Sequence, residues 1–132
     1  MIVLIPAFAG MFLWGGSLPA WAQDKTGALF SGAYLHEICK SKADGSETVK
    51  GGHTACQAYI AGIIDYHNLL RSLGTAPSID FCVPNTVKMN DLQDVVWTYL
   101  DKNAQHDSFI AAPAVSLALF EVFPCKNSKK KR

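Results

Sequence analysis

The side chains of this chain that could do chemistry are four cysteines, four histidines and a few isolated acids. Cys39, Cys56, Cys82 and Cys125 contain no C-x-x-C pair, so thioredoxin-type redox exchange has no motif here. A cysteine nucleophile would have to be spared from a disulfide. His36, His53, His67 and His106 are scattered, with no pair at ligand spacing beside a supporting acid and no H-E-x-x-H. The expectation is therefore no metal site and no cofactor. The sequence also lacks a G-x-S-x-G elbow, a phosphate loop and a dinucleotide fingerprint. Glu37 and Glu121 could act as an acid/base couple only if the fold joined them, and nothing in the sequence does; solvated helix faces are the expectation. Asp65 follows Ile63-Ile64 in the middle of an apolar stripe, so it must face water or be paired, and a pairing role is favoured over a catalytic one. No residue is assigned a catalytic role. The chain reads as a binding protein and not as an enzyme.

The cysteines carry a different message. All four lie downstream of an apolar, uncharged stretch, residues 1–22. That stretch ends in Ala20-Trp21-Ala22, a small-x-small cleavage signature, with Gln23-Asp24-Lys25 after it. The apolar run is interrupted by Pro6, Gly10, Gly15, Gly16 and Pro19 and falls short of the roughly 20 residues a spanning helix needs. It is read as a signal peptide, with no stable membrane insertion after cleavage. An even cysteine set behind an export signal reads as two disulfides formed in an oxidising compartment. The expected location is the periplasm.

The expected divisions are a signal peptide over 1–22, a single domain over 23–125 and a basic disordered tail over 126–132. The tail holds five of the twelve basic residues, which leaves seven against eleven acids and a body charge near −4. An acidic body with a short basic appendage gives no reason to expect nucleic-acid binding.

Four helices must carry these residues, and no strand pattern competes with them, so the expected fold class is all-α. The first helix spans about 31–41, where Tyr34/Ile38 and Leu35/Cys39 are i, i+4 pairs. A polar, glycine-containing loop follows over 40–52. The second helix, from about 52 or 53 to 73, aligns Cys56, Tyr59, Ile60, Ile63, Ile64, His67, Leu70 and Leu73. Gly62 within it costs about 1 kcal/mol against Ala and would let a neighbouring element approach closely. Gly74 and Pro77 end it. The third helix is expected to be capped by Asn90 with Gln93 at the capping-box position, and to bury Leu92, Val95, Val96, Tyr99 and Leu100. The fourth starts between Asp107 and Pro113, the proline suiting its first turn, and runs through Val115, Leu119, Val122 and Phe123 to Pro124. The aromatic residues fall mainly on apolar faces and are read as core.

Four cysteines allow three pairings. Cys39 closes the first helix and Cys56 opens the second across the polar loop. Cys82 precedes the third helix and Cys125 follows the fourth. Antiparallel neighbours bring those ends together, so the helix map favours Cys39–Cys56 and Cys82–Cys125, each contributing roughly 3–4 kcal/mol.

The order of segments then acquires a likeness. Phe30-Ser-Gly-Ala-Tyr-Leu35 precedes Cys39; Cys56-Gln-Ala-Tyr-Ile-Ala-Gly-Ile-Ile-Asp65 follows; Phe81-Cys-Val-Pro84 precedes Leu92-Gln-Asp-Val-Val96 and Tyr99-Leu100; and Ala118-Leu119 and Phe123-Pro-Cys125 close the series. Over about 30–125 the chain resembles the Rap/Tai immunity proteins of type VI secretion. Val87-Lys-Met-Asn90 departs from the usual threonine-and-glycine lead into the third helix, and the basic tail is extra. The resemblance implies a helical periplasmic protein, often a homodimer. Its partner would be a secreted cell-wall amidase effector, whose active site it occludes without chemistry of its own. The 40–52 loop, long and anchored at both ends, is the expected docking element, with Lys42, Asp44, Ser46, Glu47 and Lys50 as its contact residues. The alternative is a general envelope stress or chaperone-like protein, with exposed apolar surface and no dedicated effector.

Overall fold

The computed structural model describes residues 30–126. The leader at 1–22 and the tail beyond Lys126 lie outside the described residues. Four α-helices form the body: α1 (Gly32–Cys39), α2 (Gly52–Ser72), α3 (Met89–Lys102) and α4 (Ala112–Val122), with a short 3₁₀ turn at Ala104–His106 between the last two. No strand forms among the described residues, only isolated antiparallel bridges. The fold is the expected all-α bundle with two disulfides, Cys39–Cys56 and Cys82–Cys125, whose Cα atoms lie 5.2 and 4.9 Å apart.

α3 packs against each of the other three helices. Leu92, Val96 and Leu100 repeat along one face at helical spacing and are almost fully buried. Against them lie Leu35 and Ile38 from α1, Ile60 from α2, and Val115 and Leu119 from α4, with the Cys39 and Cys56 sulfurs sealed in the same core.

The helix ends follow from local chemistry. Ser31 caps α1, its Oγ accepting from the Tyr34 N–H at 3.2 Å. The N-cap of α3 lies two residues before the Asn90 cap expected from sequence. Lys88 is the N-cap, and Asp91 reaches back to accept from its N–H at 3.4 Å. Asn90 and Gln93 are drawn into other hydrogen bonds, described below. Pro113 occupies the first turn of α4, as its missing N–H allows. Two short antiparallel contacts tie the connections down. Gly32 N–H donates to Phe109 O at 2.9 Å and Ala111 N–H to Phe30 O at 2.8 Å, while Cys82 N–H donates to Phe123 O at 2.7 Å beside the second disulfide.

The apolar stripe of α2 is buried at Cys56, Ile60 and His67 but leaves the bundle at its end, where Leu73 is 66% exposed. Tyr66 and Leu69 are exposed with it. Val122 is exposed at the last turn of α4, and Phe109 lies exposed before that helix. A stripe read from spacing does not say where the neighbouring helices run out.

His67 and not Asp65 is the polar residue of α2 that matters to the fold. Asp65 faces water, with no ion pair among the described residues. His67 is buried, stacked on Phe81 at 3.8 Å between ring centroids, with Nε2 3.0 Å from Asp80 Oδ1. Arg71 Nε joins the same carboxylate oxygen at 3.3 Å. Asp80 thus holds two positions one turn apart on α2, and it sits two residues before Cys82.

The glycines divide into those that touch a neighbour and those that do not. A Cβ at Gly52 would come within 2.8 Å of the Ile38 carbonyl oxygen, so α2 can start against the end of α1 only without a side chain there. Gly62 meets nothing within 4 Å, so the expected close approach at that position does not occur. Gly62→Ala should therefore stabilise the fold by about 1 kcal/mol. Gly52→Ala should destabilise it. Thermal unfolding followed by circular dichroism separates the two substitutions by the sign of the change in midpoint.

Candidate functional site

The loop joining α1 to α2 is ordered by its own side chains. Ser41 and Glu47 form an antiparallel bridge. Lys42 N–H donates to Ser46 O at 2.8 Å, and Gly45 N–H to Lys42 O at 2.9 Å, with Gly45 in the left-handed region at φ 81°. Asp44 Oδ1 accepts from both the N–H and the hydroxyl of Ser46, at 2.9 and 2.6 Å, closing the tip as an Asx turn. The Ser46 hydroxyl, followed by its N–H, holds the Asp44 carboxyl below the ordinary range. Thr48 Oγ1 donates to Lys40 O at 3.1 Å, satisfying a carbonyl left open where α1 ends.

Glu47 caps the next helix. Its Oε1 accepts from Gly51 N–H at 2.7 Å and its Oε2 from His53 N–H at 3.4 Å, which supplies acceptors to the start of α2, where Gly51 has no side chain to do so. The Gly51 N–H is the main reason its carboxyl lies below the usual value, and the positive end of the helix dipole favours the same ionised form.

Beneath the loop lies a polar floor. Gln93 on α3 is 3% exposed, and its Nε2 donates to Cys39 O at 2.9 Å. Gln57 on α2 donates from Nε2 to Gln93 Oε1 and to Asn90 Oδ1, both at 2.8 Å. Three helices are thus joined through side-chain amides next to the Cys39–Cys56 bridge. His53 stands at the loop's edge, with Nε2 3.2 Å from Ser41 Oγ and 3.3 Å from Lys40 O.

The Ser41–His53 contact has the elements of a nucleophile and base, but its surroundings do not complete one. A ring N–H donated to Lys40 O cannot also accept the serine proton. Glu47 meets the backbone N–H of His53, and no hydrogen bond links its carboxylate to the ring. The other histidines are also occupied. His36 Nε2 lies 3.2 Å from Asp101 while its ring stacks on Trp97, His67 is buried against Asp80, and His106 lies 3.5 Å from the Tyr99 hydroxyl. All four cysteines are in disulfides. Among the described residues no three His, Cys, Asp or Glu side chains gather as a metal site, and no helix is long and apolar enough to cross a membrane. Glu37 and Glu121 are both solvent-exposed, on α1 and α4.

Three cavities border Asp94 of α3, two of them beside this loop. One of about 350 Å³ lies between α3 and α4 and includes Tyr99, Lys102 and Glu121. Burial pushes the Tyr99 hydroxyl pKa up, and the Glu121 carboxylate adds to that. One of about 250 Å³ is walled by Ser41, Gly45, His53, Asn90, Gln93 and Asp94. The smallest, about 140 Å³, is lined by Cys39, Ser41, Asp94 and Trp97.

The five loop residues singled out from sequence therefore share one structured element, but in different capacities. Asp44 and Ser46 shape the tip, Glu47 holds α2, and Lys42 and Lys50 stand exposed. Sequence reading assigned no site role to Gln57, Asp94 or Trp97 and gave Gln93 a capping role in place of the buried one it has. The one available signal was Gln93, a polar residue on the same helical face as Val96 and Leu100.

A family model described as Rap1a immunity proteins matches residues 31–125. No curated protein and no solved structure matches the chain.

The Glu47 cap has a signed pH dependence. A carboxyl whose folded pKa is depressed contributes stability at pH values above its unfolded pKa and loses it as pH falls through the folded one. Glu47→Gln should therefore lower the thermal midpoint at neutral pH. The gap between wild type and variant should close as the pH falls through the lowered Glu47 pKa into the acidic range. Paired melting curves across that range check it.

Proposed function

This chain belongs to the Rap1a immunity protein family, and on that premise we propose that it binds and sterically inhibits a peptidoglycan amidase effector of type VI secretion in the periplasm. The match to the family over 31–125, which takes in both disulfides and every helix, carries this reading. The disulfides fit an oxidising compartment such as the periplasm. Inhibition needs no turnover. It requires a firm projection that fills a cleft and excludes substrate, and the 40–52 loop has the build for that. Its tip, Lys42, Asp44 and Ser46, meets the enzyme, Lys50 lies along its edge, and Glu47 keeps the loop seated on α2. Because the loop is already ordered by its own hydrogen bonds, it loses little conformational freedom on docking.

The active unit is a homodimer in this reading. Tyr66, Leu69 and Leu73, at i, i+3 and i+7 on α2, give an exposed apolar face for the second copy. The same residues favour the second reading, a chaperone-like envelope protein that uses exposed apolar surface to hold unfolded clients.

The two readings part on one experiment. Oxidised protein is titrated into peptidoglycan-cleavage assays of exported amidases, any product of a neighbouring gene first among them. The expected result is stoichiometric loss of cleavage with a dissociation constant on the order of nanomolar. Reversing Lys42 and Lys50 to Glu should weaken it by about tenfold or more while the melting midpoint stays put. Unchanged cleavage together with suppressed aggregation of an unrelated unfolded protein would overturn the immunity reading in favour of the second.

A further inference from the structure

We propose that Asp94 is the receptor for a cationic side chain, an arginine, presented by the hydrolase partner; this rests on the inhibitory role above. Asp94 is the residue common to three cavities, two beside the loop and one between α3 and α4. It is exposed, and among the described residues it has no hydrogen-bond or ion-pair partner. The other acids of the loop and of α3 are engaged. Asp91 accepts from Lys88 N–H, Asp101 is paired with His36, Asp44 holds Ser46, and Glu47 caps α2. The lysine of the adjoining cavity, Lys102, lies two turns further along α3. Glu121 lines the α3–α4 cavity without a hydrogen-bond or ion-pair partner among the described residues as well, but Asp94 alone of the two also lines the two cavities beside the loop.

The walls around it select among cations. In the smallest cavity Asp94 faces a space that it shares with Cys39, Ser41 and the indole of Trp97. The indole is fixed by stacking with His36 at 5.5 Å between centroids, and its Nε1 is buried without an acceptor among the described residues. A carboxylate beside an aromatic ring suits a guanidinium, which can bond the carboxylate through two N–H groups and lay its plane on the ring. An ammonium uses only the charge. The volume of about 140 Å³ admits a single side-chain head and not a peptide segment. The wider field agrees in sign, since residues 30–126 carry seven Lys and Arg against ten Asp and Glu, a net charge of −3. Ser41 links the cavity to the loop, so a partner seated over the loop tip reaches Asp94 without a change in the backbone.

The test uses two probes. First, ¹⁵N-labelled oxidised protein is titrated with n-butylguanidinium and, separately, with neutral n-butylurea, following the Trp97 indole N–H resonance assigned with Trp97→Phe. A saturable shift with guanidinium alone is expected, weakened by about tenfold in Asp94→Asn. No shift, an equal shift with the urea, or an equal shift in Asp94→Asn overturns the proposal. Second, Asp94→Asn should raise the inhibition constant against the amidase by about tenfold and Asp94→Lys by more, with circular dichroism and melting midpoint unchanged. Inhibition unaltered in both variants overturns the assignment of Asp94 as the partner's receptor. If the wild-type protein does not inhibit the amidase at all, the immunity reading falls, and the guanidinium titration still decides whether Asp94 receives a cation.

Discussion

The Cys39–Cys56 bond sets the geometry of everything around the candidate site. It joins the last residue of α1 to the first turn of α2, with Cα atoms 5.2 Å apart and both sulfurs buried. Helix ends held that close leave the intervening segment no course except outward. They also leave the Ile38 carbonyl against Gly52, where no side chain fits. The carbonyl of Cys39 is turned inward and must be satisfied, since an unmet buried acceptor costs about 1–3 kcal/mol. Gln93 meets it, Gln57 meets Gln93, and Asn90 joins the same amide. One covalent link thus accounts for a glycine, a buried polar network on three helices and the path of the loop.

The pairing of the cysteines was legible in the sequence because helix ends are marked by local signals. Gly74, Pro113 and Pro124 each act within a few residues, so the order and extent of the four helices could be read without knowing how they pack. The same locality explains the errors. The spacing of Leu70 and Leu73 is that of a buried stripe, yet α2 is about 30 Å long at 1.5 Å per residue and overruns the elements that cover it. At the start of α3, Asn90 and Gln93 have the right residue types for a capping box. Buried demand from Cys39 O, 54 residues away in sequence, took Gln93 out of that role. Asp65 drew attention through its apolar neighbours, while His67 two residues on went inward. Helical phase decides between them, and a hydropathy reading weights the residue type first.

The loop was recognised as a loop for the right reason, its polarity and glycines, but its internal order was not visible. Asp44 and Ser46 form a recognisable turn pair. Glu47 does not resemble a cap by position, since it stands four residues before Gly51 and acts across a left-handed glycine. Its placement follows from the covalent closure of the loop, and no local pattern encodes that.

This order bears on how such a surface can inhibit. Fixing one residue's backbone costs about 1–2 kcal/mol, so a flexible segment the size of the 40–52 loop would set much of its contact energy against ordering on binding. Here the cost is met during folding, by the disulfide, the Asx turn and the Glu47 cap, before any partner arrives. Side chains that build the loop are then unavailable as adjustable contacts. In the proposed inhibitory role, discrimination then falls mainly to groups left over, the exposed lysines of the loop and the carboxylate on the neighbouring helix. A rigid loop flanked by a few unengaged charges gains affinity by lowering its ordering cost and specificity by the placement of those charges. This is why residues most visible as loop polarity and residues that discriminate a partner need not be the same set, and why Asp94, on a helix beside the loop, is the proposed discriminating carboxylate in preference to Asp44 or Glu47.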